Sequence, residues 1–307
     1  ANATSNQRSG TGAEGVIFVT TASGEMIVKF LKAGAGAAQA DKTLDAVGID
    51  VPNSRIVKND HSDSLGSAIS SLINSRMGDL DAAQQSQVQT QLTTYKYIQI
   101  QSKATGIPLD KLNLKSNHEE MQAFLSNASL IEEVGKLAVV DAFLGNTDRL
   151  SRATNNTGNY ILSHGGSGPT LTAIDNETNA RKASNQTARD AETRFVMSAD
   201  GVNQLAQTFY VKLIGTNYPY SDHDLAFVKQ HMLIGVKAGA QAIIANIDQA
   251  FINQAKAMEK TQLPGPRGTG TSEREIVRKT LKARLSAIQD QYRKNGLDRV
   301  PMNPLIM

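Results

Sequence analysis

Side chains with oxygen donors stand at the ends of apolar runs in the stretch 137–177. Asp148 begins a short polar loop, Asn159 ends that loop just before the apolar run 160–162, and Asp175 follows a second apolar run. Phosphoryl transfer requires a positioned hydroxyl and divalent cations that neutralise the phosphates. Because Mg²⁺ prefers carboxylate and amide oxygens, the pattern predicts a magnesium and nucleotide site. The alternative is that these residues only cap turns.

A glycine pattern near the amino terminus is the second candidate for phosphate binding. Gly10, Gly12 and Gly15 form GxGxxG ahead of a strand–turn–strand pattern over residues 16–30. A dinucleotide-binding fingerprint would follow a strand and open a helix, so the pattern favours a loop whose backbone closes on phosphates. Lys29 ends the second predicted strand, where a strand lysine would contact phosphate oxygens. A solvated strand lysine is the alternative.

These motifs resemble the catalytic core of the atypical kinases related to phosphoinositide kinases and actin-fragmin kinase, a pattern that bacterial kinase-like effectors share. In that family an Asp-Arg pair precedes an Asn, and an Ile-Asp pair follows later. The matching residues here are Asp148 with Arg149, Asn159, and Ile174 with Asp175. The resemblance implies that Asp148 is the catalytic aspartate and that Asn159 and Asp175 bind Mg²⁺ beside ATP, with Mn²⁺ as the alternative ion. Arg149 would support Asp148 or nearby loop carbonyls.

The chain departs from the family pattern at several positions. The catalytic loop is longer than in phosphoinositide kinases, no histidine follows Arg149, and Asn176 stands where protein kinases have the Phe of DFG. The substrate is therefore less defined than the nucleotide. A Ser or Thr hydroxyl of a protein is favoured over a lipid, because a phosphoinositide would require a denser basic cluster after Asp175. The alternatives are a phosphoinositide kinase, a kinase-fold AMP transferase and a pseudokinase that serves as a binding module.

A lysine that contacts phosphates is usually held by a carboxylate on a helix, and the segment 34–49 has a helical pattern. The candidates in this segment are Gln39, Asp41 and Asp45, and Glu14 is a further possibility outside it. The residues alone do not choose among them.

The apolar pattern over residues 95–102 predicts a strand that resembles the hinge of the kinase family. A hinge holds adenine through main-chain groups, so Gln99 and Gln101 are candidates by position only. An ordinary edge strand is the alternative.

The resemblance implies an α+β, two-lobed protein-kinase-like fold with a small antiparallel N-lobe sheet and a mostly helical C-lobe. The predicted N-lobe spans residues 1–103, with a polar helical insertion over 62–92, and the predicted C-lobe spans 104–262. A linker and a terminal helix are predicted over 263–307. Apolar residues at helical spacing over 225–258, with Ala and Gly between them, predict closely packed scaffold helices.

The composition fits a folded enzyme of moderate size. The 307 residues are 40% apolar and 20% charged, enough for a large core. A formal charge of only +3 argues against binding nucleic acid by bulk electrostatics. Without cysteine, disulfides, thiolate zinc sites and cysteine nucleophiles are excluded. No apolar run predicts a transmembrane segment. The expectation is a soluble, cytoplasmic protein, with secretion into a host cell as an effector as the alternative, and with an activating partner.

Overall fold

The computed structural model describes residues 3–8, 16–22, 24–31, 35–60, 62–152, 154–165, 168–176, 186–254 and 273–294. Contacts divide the chain into two compact units. The first contains Ala1–Ala38 and Pro52–Ala104, and the second contains Gln39–Val51 and Thr105–Met307. The predicted N-lobe had included all of residues 1–103, whereas these contacts place Gln39–Val51 in the second unit.

The first unit is built on an antiparallel sheet. Its strands are β1 (Ala3–Arg8), β2 (Ile17–Thr21), β3 (Gly24–Leu31), β4 (Ser54–Lys58) and β5 (Tyr97–Ser102). They lie in the order β1-β2-β3-β5-β4. In β3, Val28 and Phe30 are buried and Lys29 between them is half-buried. Because successive strand residues face opposite sides, this alternation gives the sheet one apolar face.

The predicted helical insertion forms helices α2 (Ser64–Ser75) and α3 (Ala82–Thr94). Each begins at an aspartate, Asp63 or Asp81, whose side chain accepts hydrogen bonds from the first turn. Ile73 and Val88 of these helices are buried in the same apolar cluster as Val28 of the sheet. The insertion therefore supplies part of the core of the first unit.

The second unit is mostly helical. Its helices are α4 (His118–Leu125), α5 (Ala128–Leu144), α6 (Gln186–Val196), α7 (Ala199–Ile214), α8 (Asp222–Asn246), α9 (Gln249–Gln254) and α10 (Glu273–Lys294), joined by most of α1 (Ala35–Ala46). A small sheet pairs β6 (Ile107–Pro108) with β7 (Tyr160–Gly165), and β7 with β8 (Gly168–Ala173). Ser221, directly before helix α8, is its N-cap, and the Ser221 hydroxyl accepts the Asp224 N–H at 3.2 Å.

Helices α5 and α8 approach each other closely at glycines. A Cβ added to Gly235 would lie 1.9 Å from the carbonyl oxygen of Glu132, and one added to Gly135 would lie 2.2 Å from that of Met232. Backbone atoms at such distances cannot move aside as a flexible side chain can. The prediction that small residues allow close helix packing here is confirmed.

Replacing Gly235 with alanine is expected to lower the free energy of unfolding by about 1–3 kcal/mol, because the added methyl forces α5 and α8 apart. Gly78→Ala is the matched control, since Gly78 is exposed and an added Cβ meets nothing within 4 Å. Thermal unfolding followed by circular dichroism measures both. Equal melting temperatures for the two variants would contradict close packing at this position.

Candidate active site

Asp148 lies in the loop that follows α5. The helix ends at Gly145, whose φ of 74° is a left-handed conformation that glycine adopts without steric cost. The chain turns away from the helix axis there, and Asp148 follows with its side chain exposed. An exposed carboxylate at this point can reach a hydroxyl group of a substrate.

Asn146 connects the Asp148 loop to the segment that carries Asp175. The side chain of Asn146 is buried, with only 2% of the residue exposed. Its Oδ1 accepts the backbone N–H of Asp148 at 3.1 Å, and its Nδ2 donates to the backbone carbonyl of Asp175 at 3.5 Å. One amide group therefore holds both aspartate backbones close together. The sequence-based reasoning missed Asn146, although an asparagine directly after a helix-ending glycine is a signal for such a turn.

Asn159 and Asp175 lie at the same end of the β7–β8 hairpin. Tyr160 pairs with Ala173 in the hairpin register, and the N–H of Ile174 donates to the carbonyl of Asn159 at 3.1 Å. Asn159 is 8% exposed, and its buried Nδ2 has no hydrogen-bond partner among the described residues. The hairpin thus brings together two residues that are distant in the sequence.

Asp175 has an unusual backbone conformation. Its φ of 59° is the only positive φ of a non-glycine residue in the described ranges. Such a conformation costs an L-amino acid free energy, and aspartate tolerates it better than most residues. The side chain of Asp175 is exposed. The turn therefore directs a carboxylate outward from the end of β8.

Arg149 forms a buried ion pair with Asp141 of α5. The guanidinium is fully buried; its Nε donates to Asp141 Oδ2 at 2.9 Å, and Nη2 bonds to the other carboxylate oxygen. Its Nη1 donates to the carbonyl of Ile174 at 2.8 Å and to Oδ1 of Asn176. Burial by itself would lower the pKa of Arg149, but the Asp141 carboxylate outweighs that effect and raises it. Arg149 stays charged and binds the carbonyl of Ile174, and it is too deeply buried to touch a substrate.

The residues predicted to face ATP in the first unit share one side of the sheet. Lys29 in β3 is directly opposite Gln99 in β5, and Gln101 follows on the same side of that strand. Gln99 and Gln101 are both buried. Gly10, Gly12 and Gly15 lie outside the described residues.

The possible partners of Lys29 on α1 differ in their surroundings. Gln39 is buried, and its amide donates to the Thr43 hydroxyl at 3.4 Å. Asp41 is half-buried and accepts a hydrogen bond from Nδ2 of Asn176 at 3.1 Å, whereas Asp45 is exposed. Glu14 lies outside the described ranges.

The donor set of Asn159 and Asp175 fits Mg²⁺. Both side chains offer hard oxygen atoms, the carboxylate of Asp175 and the amide Oδ1 of Asn159. Mg²⁺ commonly takes only one or two protein ligands beside substrate phosphates and waters. No group of three or more His, Cys, Asp or Glu side chains suited to a metal ion occurs among the described residues.

No described helix combines the length and apolarity that a membrane crossing demands.

Comparison with known proteins assigns the chain to a family. Among solved structures, the chain resembles the Helicobacter pylori proinflammatory kinase CtkA with a TM-score of 0.45 and 15% sequence identity, over 92% of this chain and 94% of that one. No curated protein matches the sequence significantly. The family model "Actin-fragmin kinase, catalytic" matches residues 3–164, which include Lys29, Asp148 and Asn159. The chain therefore belongs to the actin-fragmin kinase catalytic family and is a phosphotransferase.

Proposed function

We propose that this protein is an ATP- and magnesium-dependent kinase that transfers the γ-phosphoryl group to a hydroxyl, with a protein Ser or Thr as the favoured acceptor. The observation that carries the proposal is that hydrogen bonds bring the backbones at Asp148, Asn159 and Asp175 close together in the second unit. Asn146 bonds to the backbones of both aspartates, and Asn159 bonds to the residue before Asp175. In the proposal, these motifs would supply one carboxylate that orients the acceptor and two oxygen ligands for the cation.

In this proposal Asp148 orients the acceptor hydroxyl and accepts its proton as the oxygen attacks the γ-phosphorus. The new oxygen–phosphorus bond replaces the bond to the β,γ-bridging oxygen, and ADP leaves with those electrons. Asn159 and Asp175 would hold Mg²⁺, which neutralises charge on the phosphate oxygens when it is bound. Proton acceptance and metal binding are thereby assigned to different carboxylates.

The remaining predicted residues have supporting roles in the proposal. Lys29 would contact phosphate oxygens from β3, and the glycines at positions 10, 12 and 15 would offer backbone amides to the phosphates. Gln99 and Gln101 mark the strand whose main chain would hold adenine. Arg149 is a positioning residue, because its guanidinium bonds to Asp141, Ile174 and Asn176 and is fully buried. It would act on the reaction only through the loops that it holds.

Incubation with labelled ATP tests the transferred group. Label from the γ position of ATP on a protein acceptor is expected, because the proposed site activates a hydroxyl and stabilises charge on the terminal phosphate. The control is ATP labelled at the α position, which should leave no label on the acceptor. Transfer of the α label would instead support AMP transfer, and transfer of neither label would contradict the proposal.

The choice of a protein acceptor is tested by comparing phosphorylated proteins in cells that express the wild type or Asp148→Asn. The variant keeps the size of the side chain but removes the proton acceptor. Phosphorylation sites that are present only with the wild type therefore identify direct or downstream targets. Phosphorylation sites on host-cell proteins that appear only with the wild type would support the expected role as an effector. Purified phosphoinositide vesicles serve as the alternative substrate, and label on lipid with none on protein would overturn the protein assignment.

A further inference from the structure

The peptide groups around Asp175 are held on both sides. The carbonyl before it, that of Ile174, accepts a hydrogen bond from Arg149, and its own carbonyl accepts one from Asn146. Because the left-handed backbone at Asp175 is costly, it persists only where surrounding contacts determine it. The direction of the Asp175 carboxylate therefore depends on the groups that hold these peptides.

Asn176 supplies the next part of this arrangement. It is 5% exposed, and its side chain makes hydrogen bonds in three directions. Its Oδ1 accepts from Arg149, while its Nδ2 donates to Asp41 Oδ1 at 3.1 Å and to the carbonyl of Ala173 at 3.2 Å. An amide has both a donor and an acceptor end, so it can join a guanidinium to a carboxylate. The apolar Phe found here in protein kinases could not make these bonds.

The turn that follows α1 is attached to the same hairpin by separate contacts. The carbonyl of Asp50 accepts the N–H of Ala173 at 3.0 Å, and the Asp50 carboxylate accepts the hydroxyl of Thr172. Lys136 of α5 donates to the carbonyl of Gly48 at 2.8 Å. Within the second unit, hydrogen bonds thus hold α1 at Asp41 and the chain just beyond its carboxyl end.

We infer that Asn176 is a positioning residue that makes the orientation of Asp175 depend on Asp41 of α1. The polar chain runs from Asp141 through Arg149 and Asn176 to Asp41. The inference that this polar chain affects metal binding rests on the proposed function. The inference that it holds the backbone of the Asp175 turn does not. Loss of the Asp41 acceptor leaves a buried N–H without its partner, which weakens the clamp on Asp175.

Hydrogen exchange of the backbone amides of Ala173 and Ile174 tests the coupling without requiring catalysis. Asp41→Ala is expected to speed exchange about tenfold, the factor that corresponds to one buried hydrogen bond. Asn176→Ala removes three hydrogen bonds and is expected to speed exchange by at least as much. Asp41→Asn keeps an oxygen acceptor and is expected to exchange like the wild type. Asp45→Ala, an exposed change on the same helix, is the matched control. Equal exchange in Asp41→Ala and Asp45→Ala would overturn the inference.

The magnesium dependence of phosphoryl transfer provides the second measurement. Asp41→Ala is expected to raise the Mg²⁺ concentration for half-maximal rate by about tenfold, with Asp41→Asn close to wild type. A merely structural loss would lower the active fraction without changing that concentration. If the wild type is active and Asp41→Ala needs the same Mg²⁺ concentration for half-maximal rate, the metal-positioning role is contradicted. If the wild type transfers nothing but exchange still responds to Asp41, the proposed function fails and the coupling of the turn stands.

Discussion

Replacing Asp175 with glycine is expected to abolish phosphoryl transfer while leaving the melting temperature unchanged or higher. The substitution removes the proposed metal ligand, and loss of that charge stabilisation should reduce kcat by at least about 10³-fold. At the same time glycine relieves the left-handed backbone conformation at φ 59°. Activity and stability should therefore move in different directions, which general misfolding would not produce.

The comparison variants are Asp175→Ala and Asp175→Asn. Alanine also lacks the carboxylate but keeps a Cβ, so it should be inactive and less stable than the glycine variant by about 1 kcal/mol. Asparagine tolerates the left-handed backbone and retains one amide oxygen, so it should fold normally with partial metal binding. Rates over a Mg²⁺ titration and circular dichroism melting curves provide the measurements. Full activity in Asp175→Gly would remove the metal assignment.

Replacing Arg149 with methionine is expected to destabilise the protein by about 3–5 kcal/mol, since Asp141 would then be a buried carboxylate without a counter-charge. The double variant Arg149→Met with Asp141→Leu should recover most of this loss, because apolar residues of similar volume often replace a buried ion pair without penalty. Its kcat should nevertheless remain low, because the hydrogen bonds from Arg149 to Ile174 and Asn176 are absent.

Chemical denaturation of the wild type, both single variants and the double variant forms a double-mutant cycle for the pair. The rate of phosphoryl transfer is measured on the same four proteins under conditions where each is folded. A double variant that regains both stability and wild-type kcat would show that Arg149 serves only to balance the charge of Asp141. An Arg149→Met variant as stable as the wild type would contradict the tight pairing of Arg149 with Asp141.

Much of the local structure could be predicted from the order of residues along the chain. The strand over 97–102 lies within the predicted range 95–102, and the polar stretch 62–92 that was predicted to be helical forms the two helices α2 and α3. These features depend on side-chain periodicity and on turn residues, which act between near neighbours. The resemblance to the actin-fragmin kinase family, carried by the motifs around Asp148 and Asn159, was confirmed by the family match. The roles of individual site residues stay predictions.

The buried chain of hydrogen bonds from Asp141 to Asp41 was not predicted, although the sequence around Asp141 indicated that this residue needs a partner. Asp141 is a single acid within the apolar helix run 137–144, and a buried acid requires a partner. The sequence does not identify Arg149 as that partner, because an Asp-Arg pair in a loop has the same pattern whether the arginine faces water or the core. Asn176 likewise looked like a departure from a family motif, and its bond to Asp41 joins residues 135 positions apart in the sequence.

The sequence by itself determined which side chains can bind a cation or accept a proton, because the chemical type of a side chain is a property of each residue. The spacing of these residues from the apolar runs also predicted that they lie at the ends of strands and helices. Only the tertiary structure decided that Asn146 joins the backbones of Asp148 and Asp175, and that Asn176 joins Arg149 to Asp41. The physical reason is that a hydrogen bond depends on positions within a few ångströms. Residues far apart in the chain reach such positions only when the helices and the hairpin pack together.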